Sequence, residues 1–262
     1  PKARYERAES YYSNKQYDDA YGDIEEILAE NEEVYIERAL ELALLISYDY
    51  KKDFEAAFNY AEKLNETTLN SMLKTRAQNY GLVAAYKIGN TKGVSDMAKL
   101  LKNNPDAEER YKIKAQHFLG KLAFENTDYG TALQAFQEVI DAPNADDRGE
   151  AMYLIAEIYY KQGKLEKSAE VIDEIFNNGS NYYFTEKALL LLANISIDNG
   201  DYYTAEAALE ALIDNYSEDE SDPEHLAEAE EKLKKVKQLI AQNSRIEDSE
   251  DLQFDNDNDD DD

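Results

Sequence analysis

One phrase recurs six times along this chain at a nearly constant distance, and it limits the fold more than any other feature. Each copy opens on an apolar or aromatic residue, or in one case a threonine: Tyr17, Phe54, Thr91, Tyr129, Leu165 and Tyr202. The steps between them are 37, 37, 38, 36 and 37 residues. Three residues after each opener stands a small side chain: Ala20, Ala57, Val94, Ala132, Ser168 and Ala205. Four further on come Ile24, Ala61, Ala98, Phe136, Ile172 and Leu209, and three beyond those Ile27, Leu64, Leu101, Val139, Ile175 and Leu212. A chain that repeats itself at such a period stacks like units, each burying its apolar face against the next.

The spacing inside a copy is helical. Ala205, Ala208, Leu209, Leu212 and Ile213 fall at i, i+3, i+4, i+7 and i+8, which is one apolar stripe. The small residue that begins the stripe lets a second helix backbone come close. A partner stripe lies upstream, at Leu189, Leu192, Ala193 and Ile197, and Asn199-Gly200 breaks it. Similar breaks stand at Gly89-Asn90, Asn126-Thr127-Asp128 and Gln162-Gly163-Lys164. So short a connection predicts two antiparallel helices per unit.

These units resemble tetratricopeptide repeats. The resemblance rests on "GDYYTA" at Gly200–Ala205, "TDYGTA" at Thr127–Ala132, "KQYDDA" at Lys15–Ala20 and "GKLEKS" at Gly163–Ser168. The family's small first-helix residue is matched by Ala8, Gly120, Ala156 and Ala193, and the tyrosine that follows it by Tyr11, Tyr48 and Tyr159. Leu45 and Leu82 stand where the second and third copies should have the small residue, and "GNTKGV" at Gly89–Val94 is a poor copy. The resemblance implies an all-α, right-handed α-solenoid of six helical hairpins with repeats near 1–34, 35–71, 72–108, 109–146, 147–182 and 183–216. It also implies a non-enzymatic protein-binding scaffold.

After Tyr216 the pattern changes. Asp222 and Pro223 form a helix start, and Leu226, Ala229, Leu233, Val236 and Ile240 recur at helical steps. Acids fill the first half and lysines the second, the order that the helix dipole favours. Residues 222–243 are therefore expected to form a capping helix, and the acidic run 246–262 a disordered tail. At the other end Ala3, Ala8 and Tyr11 would face a missing neighbour, which predicts further repeats before Pro1 in a longer protein.

The net charge of −29 repels nucleic acid and anionic membranes, so neither is an expected partner. No apolar run of membrane-spanning length occurs, and the absence of cysteine removes disulfides and thiolate chemistry. With only His117 and His225 as histidines and no catalytic or phosphate-cradling motif, the expectation is no enzyme, no cofactor and no metal site. The tail "DNDNDDDD" lacks the glycine and the distant glutamate of a calcium loop.

The family register places one face of each first helix on the concave side. That face implies a candidate groove of Arg76, Asn79, Tyr86 and Lys87 from the third repeat, and Lys114, His117, Lys121 and Phe124 from the fourth. The fifth adds Tyr153, Glu157, Tyr160 and Lys161, and the sixth Lys187, Leu190 and Asn194. Basic residues interleaved with aromatics on an acidic chain point to an acidic peptide or protein segment as partner. The first repeat supplies Tyr5 and Glu9 on this face, so the family's Lys/Asn/Arg carboxylate clamp is not expected there. A second reading is self-association, a homo-oligomer stacking through the N-terminal hairpin. In style the chain resembles large acidic tetratricopeptide proteins of the bacterial cell envelope, which implies a periplasmic or envelope location, while the residues themselves leave the cytoplasm open as well.

Overall fold

The computed structural model describes residues 2–30, 33–143, 145–177 and 181–256, with side chains at all of these except 33 and 245–256. Among the described residues the architecture is helical throughout, with no strand. The helices are α1 (Lys2–Ser13), α2 (Tyr17–Glu30), α3 (Glu33–Leu45), α4 (Phe54–Thr67), α5 (Ser71–Lys87), α6 (Thr91–Asn103), α7 (Glu109–Glu125), α8 (Tyr129–Asp141), α9 (Arg148–Lys161), α10 (Leu165–Asn177), α11 (Tyr182–Asp198), α12 (Tyr202–Asp214) and α13 (Pro223–Asn256). They group into two compact units, 1–147 with four hairpins and 148–262 with two hairpins and α13.

All six phrase openers are the first residues of second helices, at α2, α4, α6, α8, α10 and α12. The eighteen repeat positions that follow them, from Ala20 to Leu212, are all buried. The turn before each second helix is built one way. Its residue two places upstream has positive φ: Lys15 (62°), Lys52 (55°), Gly89 (68°), Thr127 (59°), Gly163 (69°) and Gly200 (74°). Its last residue often caps the helix: the side chains of Asp53, Asn90, Asp128 and Asp201 accept the backbone N–H of Ala56, Gly93, Thr131 and Thr204.

The sequence's departures from the repeat have packing causes. At the third first helix the close approach is made by Gly81, one place before Leu82. A Cβ on Gly81 would lie 3.0 Å from Ala61 Cβ. At the second, a π-helical turn at Ile46–Lys51 inserts into α3's run, so Leu45 is only half-buried while Ala43 and Leu44 are buried. In the poor phrase at Gly89–Val94, Gly93 leaves room for the Phe58 ring, whose Cζ would lie 2.8 Å from an added Cβ.

Both ends differ from expectation. Ala8 is fully buried with Tyr5, Ala20, Ile24 and Ala39, because α1 packs on both α2 and α3. Only Ala3 of the predicted open patch is exposed, and Tyr11 is half-buried. α13 continues as helix past residue 243 to Asn256, since no Pro or Gly interrupts it after Pro223. Residues 257–262 of the expected tail lie outside the described residues.

Candidate functional site

In the 1–147 unit the first helices carry two clefts. One, lined by Tyr5, Glu9, Arg38, Glu41, Leu42, Leu45, Asn70 and Leu73, crosses α1, α3 and the start of α5. The other, of about 480 Å³, runs between α5 and the start of α7 and is lined by Ser71, Met72, Thr75, Arg76, Asn79, Tyr80, Asp106, Glu108, Arg110 and Tyr111. Arg76 and Asn79, two of the candidate groove residues, are among them. Tyr80, Arg110 and Tyr111 of this cleft, and Arg38 of the first, were not among the candidate residues. The cleft is mixed in charge: Arg76 Nη1 donates to Glu41 Oε1, and Arg110 Nε lies 3.1 Å from Glu108 Oε2. Arg110 also sits 4.7 Å over the Tyr111 ring. Asn79 Oδ1 is buried and accepts no hydrogen bond among the described residues.

Toward the hairpin turns the same helices set ammonium groups over aromatic rings. Lys121 Nζ is 4.6 Å from the Tyr86 ring centre and 5.6 Å from that of Phe118. Lys87 Nζ is 5.0 Å from the Phe54 ring. The Tyr86 hydroxyl donates to Glu125 Oε1 at 2.8 Å, tying the third repeat to the fourth. Phe124 lies 6.1 Å from Tyr129. Lys114 lines a smaller cleft with Tyr111, Ile113, Pro143, Asp146 and Asp147.

His117 does not belong to an exposed face. It is 1 % exposed and lies against Phe118 and Phe136, with Nδ1 3.5 Å from Asp147 Oδ2. Burial alone would raise the Asp147 carboxyl. The His117 hydrogen bond and the charges of His117, Lys114 and Lys121 outweigh it and hold the group below the ordinary carboxylate value. Helical register cannot distinguish a histidine turned inward from one at the groove edge, since the two directions differ by a fraction of a turn.

The 148–262 unit repeats the theme. Lys187 Nζ stands 4.3 Å over Tyr153 and 5.6 Å from Tyr183. Burial, then Glu157, raise the Tyr153 phenol above its ordinary value. Tyr160 donates to Asp198 Oδ2 at 2.7 Å, and Lys161 pairs with Glu157 at 3.2 Å. Leu190, expected on the groove face, is instead 6 % exposed, in the core beneath α13. Asn194, on α11, accepts a hydrogen bond from Lys232 of α13. α13 thus covers the part of α11 that the sequence assigned to the groove.

Family models of the tetratricopeptide repeat match residues 119–181 and 187–219. Those stretches match the tetratricopeptide repeat, and the hairpins before them share its helix-turn-helix architecture. Solved structures agree on the fold. The crystal structure of PilW, described as a widely conserved type IV pilus biogenesis factor, is 17% identical with a TM-score of 0.58, covering 90% of this chain and 97% of that one. PilF of Pseudomonas aeruginosa is 14% identical with a TM-score of 0.56, covering 82% and 91%. The apo form of RapI is 11% identical with a TM-score of 0.56, covering 91% and 98%. At such identities the likeness is one of architecture. A search of curated proteins found no sequence match. No helix among the described residues is long and apolar enough to cross a membrane.

Proposed function

We propose that this chain is a non-enzymatic scaffold whose first-helix faces bind an acidic segment of another protein. A tetratricopeptide fold implies binding to proteins or peptides. The observation that carries the finer reading is the placing of Lys87, Lys121 and Lys187 over aromatic rings. A lysine held over a ring keeps its charge and offers it beside a flat apolar surface, which suits a carboxylate side chain flanked by apolar ones. The net charge of −29 opposes such a partner at long range. The local cations therefore have to act within about a Debye length, roughly 8 Å in physiological salt. A role in envelope assembly is supported only by the fold shared with the pilus biogenesis factor PilW.

Calorimetric titration with a synthetic Asp/Glu-rich peptide, against a Lys-rich peptide of equal length, tests the reading. The acidic peptide should bind, and Lys114→Glu with Lys121→Glu should weaken it at least about tenfold, equal to 1.4 kcal/mol. Unchanged affinity in that double variant removes the proposal. Stacking through the N-terminal hairpin gains no support, because no large hydrophobic residue among the described residues of α1 and α2 is exposed.

A further inference from the structure

We propose that a groove between α5 and α6, on the side of α5 turned from the α5–α7 cleft, docks an acidic segment of another protein that carries an apolar residue. The groove has a volume of about 580 Å³. α6 contributes Asp96, Lys99, Leu100 and Asn103 to it, and α5 contributes Lys74 and Gln78. At about 100° per residue, Asp96, Lys99 and Asn103 share one face of α6, with Leu100 at its edge. Lys74 and Gln78, four residues apart, share a face of α5. Arg76 and Asn79, which line the α5–α7 cleft, lie on the opposite side of that helix. Asn104 and Pro105, in the loop after α6, complete the lining. Buried amides fix its shape. Asn104 Nδ2 donates to Gln78 Oε1 and to Thr75 Oγ1, each at 3.0 Å. Gln78 Nε2 donates to Asn65 Oδ1 at 2.9 Å, and the Asp106 N–H to Asn104 Oδ1 at 3.0 Å. A loop pinned in this way has little ordering cost left to meet on binding.

Charge and exposure select the occupant. Every other second helix carries more acids than bases, whereas α6 has three lysines and one acid. That acid, Asp96, is already paired with Lys92 at 2.6 Å. Lys102 donates to Gln116, which is neutral. Lys74 and Lys99 have no ion-pair partner among the described residues. Beside them Leu100 is 42 % exposed, a large apolar side chain on a polar face. A segment with carboxylates flanking an apolar residue complements that pattern: burial of the apolar residue supplies affinity, and the two lysines choose the orientation. A nucleic acid or an anionic membrane fits less well, because either meets the net charge of −29 along its whole extent, while a short segment with few carboxylates meets it at the groove alone. The groove uses none of Lys87, Lys114, Lys121 and Lys187, so it stands apart from the first-helix faces.

Calorimetric titration of the full chain with a synthetic peptide, one leucine flanked by glutamates, tests this beside a copy with serine in place of the leucine. The titrations are made in the Lys114→Glu, Lys121→Glu background, which removes the first-helix cations. The leucine peptide should still bind there, and the serine peptide at least about tenfold more weakly. Adding Lys74→Glu with Lys99→Glu should weaken the leucine peptide at least about tenfold, and so should adding Leu100→Ser alone. Leu100 and Lys99 are exposed, so Leu100→Ser and Lys99→Glu should keep the fold, which circular dichroism checks. Binding to the wild type that vanishes in the background places the segment on the first helices and overturns the proposal, leaving the first-helix reading intact. Equal affinity for the two peptides, or indifference to both groove changes, overturns it as well. So does tighter binding of a single-stranded oligonucleotide or of phosphatidylserine vesicles than of the leucine peptide, if the groove variants abolish it.

Discussion

Lys121 stands over the ring of Tyr86, and the hydroxyl of that tyrosine reaches across to Glu125 in Lys121's own helix. One tyrosine thus joins two repeats by its edge and displays a cation on its face. The two roles can be separated. Tyr86→Phe keeps the ring and loses the hydrogen bond, so stability should fall by about 1 kcal/mol with acidic-peptide affinity unchanged. Tyr86→Ala should lower both, because Lys121 then loses its platform. Urea denaturation and peptide titration of the two variants check this.

Two glycines on the paired helices α7 and α8 should respond oppositely to alanine. A Cβ on Gly120 would lie 2.7 Å from Phe136 Cε1 and 3.1 Å from Ala135 Cβ, and Phe136 is fully buried. Gly120→Ala should therefore destabilise by about 1–3 kcal/mol through overpacking. At Gly130, in the first turn of α8, the nearest atom is 3.8 Å away. Gly130→Ala should stabilise by about 0.5–1 kcal/mol by restricting the unfolded chain. Equal effects in chemical denaturation would contradict the assigned packing.

The left-handed position of the repeat turn is filled by Gly in three copies and by Thr127 in the fourth, at φ 59°. A β-branched residue is strained there. Thr127→Gly or Thr127→Asn should raise the stability of the 1–147 unit by about 1 kcal/mol, roughly the left-handed penalty for a residue with a Cβ. Gly200→Ala should cost a similar amount for the same reason. A fall in thermal stability of both Thr127 variants would show that the threonine makes a compensating contact.

The Asp198 hydrogen bond, followed by burial, pushes the Tyr160 phenol up to about 12 from its ordinary 10. The folded state then holds the proton more tightly than the unfolded one. Its contribution is complete below pH 10 and is lost as pH rises through about 12. Tyr160→Phe should flatten the loss of stability between those values. Denaturation series at pH 9 to 12, with tyrosinate absorbance followed in parallel, would show it; an unaltered slope counts against the Tyr160–Asp198 bond.

Much of the fold could be read without coordinates. The openers Tyr17 to Tyr202 predicted where second helices begin, because the repeat spacing and the small residue three places on are local signals, joined in three copies by the glycine of the turn. The site was harder to read. Arg76 and Asn79 line the α5–α7 cleft, and Lys121 and Lys187 lie over tyrosines. His117 and Leu190 are turned inward, while Arg110 and Tyr111 line the cleft outside the face that the repeat register marks. A face read from one helix alone is uncertain by about one residue, and only the neighbouring helices decide which side of that residue is covered.

The sequence by itself determined the repeat, its phase and its helical pairs, since these depend on spacing and on turn chemistry within a few residues. The tertiary structure alone decided which small residue takes the close crossing, Gly81 rather than position 82, because that depends on Ala61 and Met97 from other helices. It likewise decided that α13 lies over Leu190 and Asn194. Periodicity says that a stripe must be buried; only packing says what buries it.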